Sequence, residues 1–313
     1  MENRPDLSVS IADLRLKNPV LTASGTFGYG LEFSDLFDPD LLGGIVTKGL
    51  SLLPSPGNAP PRIVETACGM LNAIGLENIG VEAFVRDKLP ALSKLSCAII
   101  VNIYGKTADD YAKLAEILDA HQQVAALEVN VSCPNVKAGG VAFGQDPAAA
   151  AEVTRRVREK TRKPVIVKLT PNVASIAPIA LAAARAGADA VSLINTITGM
   201  AVDIKTRRPK LANITGGLSG PAIKPVGLRM VREAALALKK EMPEKNVPVI
   251  GIGGIVTAED ALEYLLVGAS AVQVGTASFV DPLAARSVLE GIEAFFAENK
   301  IAGLSDFVGS LQA

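Results

Sequence analysis

Tryptophan is missing from this chain, and histidine occurs once, as His121, in a polar His-Gln-Gln segment that reads as the close of a surface helix. Any acid–base chemistry must therefore use another side chain. Cysteine is sparse as well. Cys68, Cys97 and Cys133 show neither a disulfide framework nor the paired spacing of a metal site, which fits a reducing, cytoplasmic setting. Three scattered thiols also cannot supply the four thiolates of an iron–sulfur cluster. A net charge of −1 argues against nucleic-acid binding through a broad basic surface. Residues 1–10 lack the apolar core of a signal peptide. The longest uncharged run, residues 264–280, contains Gly268, Gln273 and Gly275, so it reads as a helix end, a turn and a strand rather than a membrane span. No Gly-x-Gly-x-x-Gly fingerprint opens a βαβ unit, so no dinucleotide fold is visible. Low-complexity segments, repeats and interdomain linkers are also lacking.

What is present is a large apolar core. Hydrophobic residues make up 49% of the 313 residues against 20% charged, which excludes a disordered chain. Residues 9–16 alternate and predict a short hairpin. Apolar strand candidates follow at 20–22, 44–47, 98–102, 126–130, 165–169, 190–194, 249–252 and 271–274. Helical patterns lie between most of them, at 81–95, 108–121, 147–161, 176–186, 225–242, 258–267 and 282–299. Near-continuous apolar strands alternating with helices imply a parallel sheet covered on both faces. Eight such units in this length predict an α/β fold, a closed (β/α)8 TIM barrel with an N-terminal hairpin, as one domain over residues 1–313. Two connections, 49–80 and 195–220, exceed what a barrel needs. Both leave the carboxyl ends of strands, where barrel enzymes keep their sites.

The strand ends carry the chemistry. Lys48, Asn102, Asn130, Lys168 and Asn195 close successive apolar strands. Any one of them reads as a solvated rim position. Together on one barrel face they favour a binding site, and the two ammonium groups suit an anionic or electron-accepting ligand. After the last two strands come Gly251-Ile252-Gly253-Gly254 and Gly275-Thr276. Glycine lets backbone amides approach an anion closely, and these two slots are the recurrent phosphate site of such barrels. A rim phosphate with Lys168 in the barrel mouth suits FMN. The segment Asn72-Ala73-Ile74-Gly75-Leu76, followed by Asn78, adds a carboxamide to those of Asn130, Asn135 and Asn195, with Thr196 alongside. Such groups match a ring with ureide and amide edges better than a sugar phosphate. Glu128 shares the strand parity of Asn130, and nothing in the sequence accounts for it.

The run Leu127-Glu-Val-Asn130-Val-Ser-Cys133-Pro-Asn135 begins as a buried strand and ends where Pro134 withdraws a donor. It sets a thiol between two carboxamides. On residue type alone Cys133 reads more readily as a small buried hydrophobe, and Asn135 as turn chemistry. The surrounding constellation favours a thiol that moves a proton.

Asn130-Val-Ser-Cys-Pro-Asn135, Asn72-Ala-Ile-Gly-Leu76 with Asn78, Val167-Lys-Leu-Thr-Pro171 and Gly251-Ile-Gly-Gly254 together resemble the class 1 dihydroorotate dehydrogenases, from about residue 9 to residue 296. Ala23-Ser-Gly-Thr-Phe-Gly28 and Val136-Lys-Ala-Gly-Gly140 look like the class 1B catalytic subunit. The resemblance implies oxidation of dihydroorotate to orotate in pyrimidine (UMP) biosynthesis, with Cys133 taking the C5 proton while hydride leaves C6 for flavin N5. It implies orotate contacts from Lys48, Asn72, Ala73, Ile74, Gly75, Leu76, Asn130, Asn135, Asn195 and Thr196. It implies FMN contacts from Ser24, Lys48, Gly49, Asn102, Asn130, Lys168, Ile194, Gly220, Gly253, Gly254, Gly275 and Thr276, and no metal on this chain. It further implies a homodimer flanked by two partner subunits, a heterotetramer in which the partner carries FAD and a 2Fe–2S cluster and passes electrons to NAD. A class 1A enzyme, which would use fumarate, is the nearest alternative. Dihydropyrimidine dehydrogenase has a similar module but carries histidine where this chain has Asn135. Dihydrouridine synthases usually bring a basic domain that this chain lacks. A non-catalytic small-molecule-binding barrel is the alternative of a different class.

Overall fold

The computed structural model describes residues 5–132 and 143–312. Strands β1 (Val9–Ile11) and β2 (Leu14–Leu16) form the expected antiparallel hairpin. The barrel strands are β3 (Val20–Thr22) and β4 (Gly44–Val46), then, beyond β5 (Ile63–Thr66) and β6 (Gly69–Asn72), β7 (Ala98–Ile103), β8 (Ala126–Asn130), β9 (Val165–Lys168) and β10 (Ala190–Leu193). After β11 (Ile197–Met200), β12 (Val202–Asp203), β13 (Arg208–Pro209) and β14 (Thr215–Ser219), the last barrel strands are β15 (Val249–Ile252) and β16 (Ala271–Val274). The eight barrel strands are parallel and close in the order β10-β15-β16-β3-β4-β7-β8-β9. Branched aliphatic residues such as Ile45, Ile100, Val129, Val167 and Val191 are fully buried, as strands covered on both faces require.

Helix α1 (Val81–Ala83) runs through a π-helical turn at Phe84–Lys88 into α2 (Leu89–Leu92), where a single helix over 81–95 was expected. The reason is Pro90. It has no N–H for the carbonyl four residues back, and its ring crowds that turn, so the ladder widens and Leu89 N–H reaches Phe84 O instead. The outer ring continues with α3 (Ala108–Asp119), α4 (Pro147–Arg158), α5 (Ala177–Arg185), α6 (Lys224–Glu241), α7 (Ala258–Leu266), α8 (Ala277–Val280), α9 (Ala284–Glu298) and α10 (Leu304–Phe307). Thr107 with Asp110, and Thr257 with Asp260, form reciprocal capping boxes that start α3 and α7 directly after their strands. The inward face of α3 buries Tyr111, Leu114 and Leu118, each contributing about 1.5–3 kcal/mol where apolar burial is complete. Among the described residues, no helix is long and apolar enough to cross a membrane.

The two long connections are not plain loops. They pair with each other in a four-stranded antiparallel sheet of order β11-β14-β6-β5. Asn72 lies opposite Gly217, and Ile197 opposite Leu218. This sheet is assembled entirely from segments that leave the carboxyl ends of barrel strands.

Candidate active site

Between that sheet and the barrel mouth lies a cavity of about 690 Å³. Its floor and walls come from residues just past the barrel strands: Ser24 after β3, Lys48 and Gly49 after β4, Asn102 on β7, Asn130 and Lys168 at the ends of β8 and β9, and Ile194 and Asn195 after β10. Asn72 enters from the end of β6, Ala73, Ile74, Gly75 and Leu76 from the segment after it, and Thr196 leads into β11. Gly220, Gly253, Gly254, Gly275 and Thr276 line the remaining side. The cavity thus gathers every residue that the resemblance assigned to orotate or FMN contact except Asn135, whereas Asn78, Glu128 and Gly251 do not line it; Cys133 and Asn135 are the two remaining site residues. Those two, with the Val136–Gly140 motif, lie outside the described residues.

Charge in this cavity is lopsided. Among the described residues, its titratable lining residues are Lys48, Arg62, Glu77 and Lys168, and Arg62 is paired with Glu77. The side chain of Lys48 has no carboxylate partner among the described residues. An anionic ligand is favoured, and no lining carboxylate or imidazole among the described residues is available as a general base. Cys97 cannot serve either: it is buried, and burial pushes its thiol up to about 12. Cys68 is exposed.

Beneath the cavity floor sits Glu128, fully buried. Asn102 on the neighbouring strand donates Nδ2–H to its Oε2 at 2.6 Å. Ser192 Oγ and Gln273 Nε2 donate to Oε1 at 2.9 and 2.6 Å. Lys168 Nζ stands 3.6 Å from Oε2 and donates to Ser24 Oγ at 3.1 Å, with only 5% of its side chain exposed. A carboxylate that accepts from several donors and faces an ammonium group is the arrangement in which a buried charge survives. Sequence reasoning missed this function. The one signal was an acidic residue inside an otherwise apolar strand.

The carboxamides form a frame. Asn195 donates Nδ2–H to Asn130 Oδ1 at 3.2 Å, and its own Oδ1 accepts from Thr196 N–H at 2.8 Å. Asn172, not singled out in the sequence, donates to Thr170 Oγ1 and Thr196 O and accepts from Thr198 N–H, tying the start of β11 to the end of β9. Asn72 donates to Gly217 O at 3.3 Å. A Cβ at Gly217 would stand 2.0 Å from Thr196 Oγ1, so only glycine lets β14 pass there. Leu76 O accepts from Tyr104 O–H and from Asn78 Nδ2–H, which anchors the segment after β6.

Two buried polar atoms at the cavity lack partners among the described residues: Asn102 Oδ1 and Ser132 Oγ. Buried acceptors are normally satisfied. On the glycine side, Gly254 has φ +69°, and a Cβ there would stand 3.0 Å from both Gly220 O and Lys224 N. The cavity is therefore a shaped slot with a cationic floor, an unfilled acceptor, carboxamide edges and a glycine-lined end. It suits flat, polar-edged, anionic molecules.

The family model described as dihydroorotate dehydrogenase matches residues 6–296. The chain is 59% identical over 308 residues to a Geotalea uraniireducens protein described as dihydroorotate dehydrogenase B (NAD(+)), catalytic subunit, covering 98% of this chain and 99% of the relative. Proteins of the same description from Geotalea daltonii and Pelobacter propionicus are each 58% identical over 309 residues, covering 99% of both chains.

Proposed function

The chain belongs to the dihydroorotate dehydrogenase family, and from that premise we infer that it is an oxidoreductase converting dihydroorotate to orotate in de novo pyrimidine biosynthesis, with NAD as final acceptor. The observation that carries this reading at the site is the meeting of Lys48, Lys168 and the carboxamides of Asn72, Asn130 and Asn195 around one cavity. Dihydroorotate is a ureide ring with a carboxylate, flattened to a planar ring in orotate, and these groups supply a cation for the carboxylate and donor–acceptor pairs for the ring edges. We take residues 1–313 as one FMN-binding barrel domain acting in the cytoplasm.

The residues fit FMN. Asn102 Oδ1 would offer an acceptor to an N–H of the flavin ring, Lys168 would supply a positive charge, and Gly253, Gly254, Gly275 and Thr276 would cradle the phosphate. Ser24, Lys48, Gly49, Asn130, Ile194 and Gly220 complete the proposed cofactor contacts. FMN supplies, when bound, a two-electron acceptor. Cys133 takes the proton from C5 of dihydroorotate as its C6 hydride departs, which leaves the C5=C6 double bond of orotate. Asn135, Thr196 and the segment Asn72-Ala73-Ile74-Gly75-Leu76 hold the ring in place.

Gly254→Ala is expected to weaken FMN binding about tenfold or more. A left-handed conformation costs a non-glycine residue about 1–2 kcal/mol, and the added carbon meets backbone at Gly220 and Lys224. Titration of the FMN-free protein with FMN measures this, and an unchanged dissociation constant contradicts the cradle.

Electrons leaving the site need a path to NAD, and this chain carries no dinucleotide fingerprint in its sequence. The relatives' description as a catalytic subunit supports a partner. We propose that the partner carries FAD and a 2Fe–2S cluster, and that a homodimer of this chain assembles with two partner subunits as a heterotetramer. The test is to supply dihydroorotate with NAD, with fumarate or with an artificial dye, and then to repeat the assay with the partner added. Dye reduction without NAD reduction, and NAD reduction restored by the partner, is the expected pattern. Efficient fumarate reduction by the chain alone supports the fumarate-linked class instead.

A further inference from the structure

We propose that Glu128 is a positioning residue that sets the electrostatics of the cofactor site through Lys168 and Asn102, an inference that rests on reading the cavity as an FMN site. Glu128 does not line the cavity, whereas Lys168 and Asn102 do, and both are held from below by its Oε2. Its other oxygen is anchored by Ser192 and Gln273, from two further barrel strands, so the carboxylate is fixed from across the barrel interior. Barrel interiors are ordinarily filled by branched aliphatic side chains. A fully buried carboxylate in that place is costly unless its charge and its hydrogen bonds are used.

Two consequences follow from its position. Asn102 spends its amide on Glu128, which turns the carboxamide so that Oδ1 remains unpartnered. The negative charge 3.6 Å from Lys168 also opposes the field that the ammonium projects into the cavity. Reduction adds negative charge to a flavin. Glu128 therefore holds the reduction potential of bound FMN below the value that Lys168 alone would set, which keeps the electrons transferable.

The test is the midpoint potential of the FMN-loaded chain, measured by equilibration with redox dyes in the wild type, Glu128→Gln and Glu128→Asp. Glu128→Gln keeps the shape and removes the charge. It is expected to move the two-electron equilibrium about tenfold toward reduced flavin, about 30 mV. Glu128→Asp keeps the charge but shortens the side chain, and is expected to move it less than about threefold. An unchanged potential in Glu128→Gln, or equal shifts in both variants, overturns the proposal and leaves a packing role. If Glu128→Gln alone is not isolated folded, Glu128→Gln/Lys168→Met, which leaves no unpaired buried charge, is compared with the wild type in excess FMN. Because the two charges oppose each other, the proposal expects a potential within about 30 mV of the wild type, and a fall well beyond that, as when Lys168 acts unopposed, overturns it. A wild-type chain that binds no FMN refutes the cofactor reading itself, whereas an FMN-loaded chain with unmoved potentials refutes only the role of Glu128.

Discussion

Replacing Cys133 with alanine is expected to leave FMN bound and to slow its reduction by dihydroorotate by at least about a hundredfold, the scale on which general-base catalysis operates. Elimination supports this expectation. Among the described residues lining the cavity, the one carboxylate is Glu77, paired with Arg62. Glu128 is hydrogen-bonded below the floor, Cys97 is buried with its thiol pushed up to about 12, and the one histidine follows α3 rather than lining the cavity. Cys133, three residues after Asn130 in the sequence, is the group to which the proposed function assigns the proton transfer. An ordinary thiol titrates near pH 8.5, so a thiolate is accessible at working pH. Cys133→Ser is expected to react slowly and to need higher pH, because a hydroxyl is a far weaker acid. Stopped-flow reduction near the wild-type rate in the alanine variant rules out the role.

The barrel was legible because its signal is long-range and redundant. Each of the eight strands is a short apolar run, and a polar or glycine residue marks where many of them end. The cavity residues were legible for the same reason, since Lys48, Asn102, Asn130, Lys168 and Asn195 all fall at or near the carboxyl end of a barrel strand. The sheet over the mouth was not. Its strands β5 and β11 alternate between half-buried and exposed, β14 holds Gly216 and Gly217, and their pairing joins segments far apart in sequence. No local periodicity announces such a pairing. Glu128 was visible but mute, because its meaning lies in Ser192 and Gln273 on other strands. Asn172 was overlooked because a carboxamide after Thr170-Pro171 reads as turn chemistry until its bonds to Thr196 and Thr198 are seen.

Lys168→Ala is expected to do the second-largest damage. The side chain is almost wholly buried, so its removal leaves Glu128 as a buried charge facing an empty space. Losing one partner of a buried pair costs about 3–5 kcal/mol. That cost, together with the lost cation beside the flavin, is expected to lower FMN content on purification or slow flavin reduction by more than about tenfold. Lys239, in the last turn of α6 and exposed, is the control, and Lys239→Ala is expected to change neither quantity. Unchanged flavin content and unchanged reduction rate in Lys168→Ala contradict the placement of the cofactor against this lysine.

The most direct measurement is anaerobic mixing of the purified chain with dihydroorotate while the visible flavin absorption is followed. The account predicts a yellow protein whose flavin band bleaches on mixing, with orotate formed in equal amount to the flavin reduced and no NADH formed when NAD is present. A colourless protein that FMN does not reconstitute, or a flavin band that dihydroorotate leaves untouched, contradicts it.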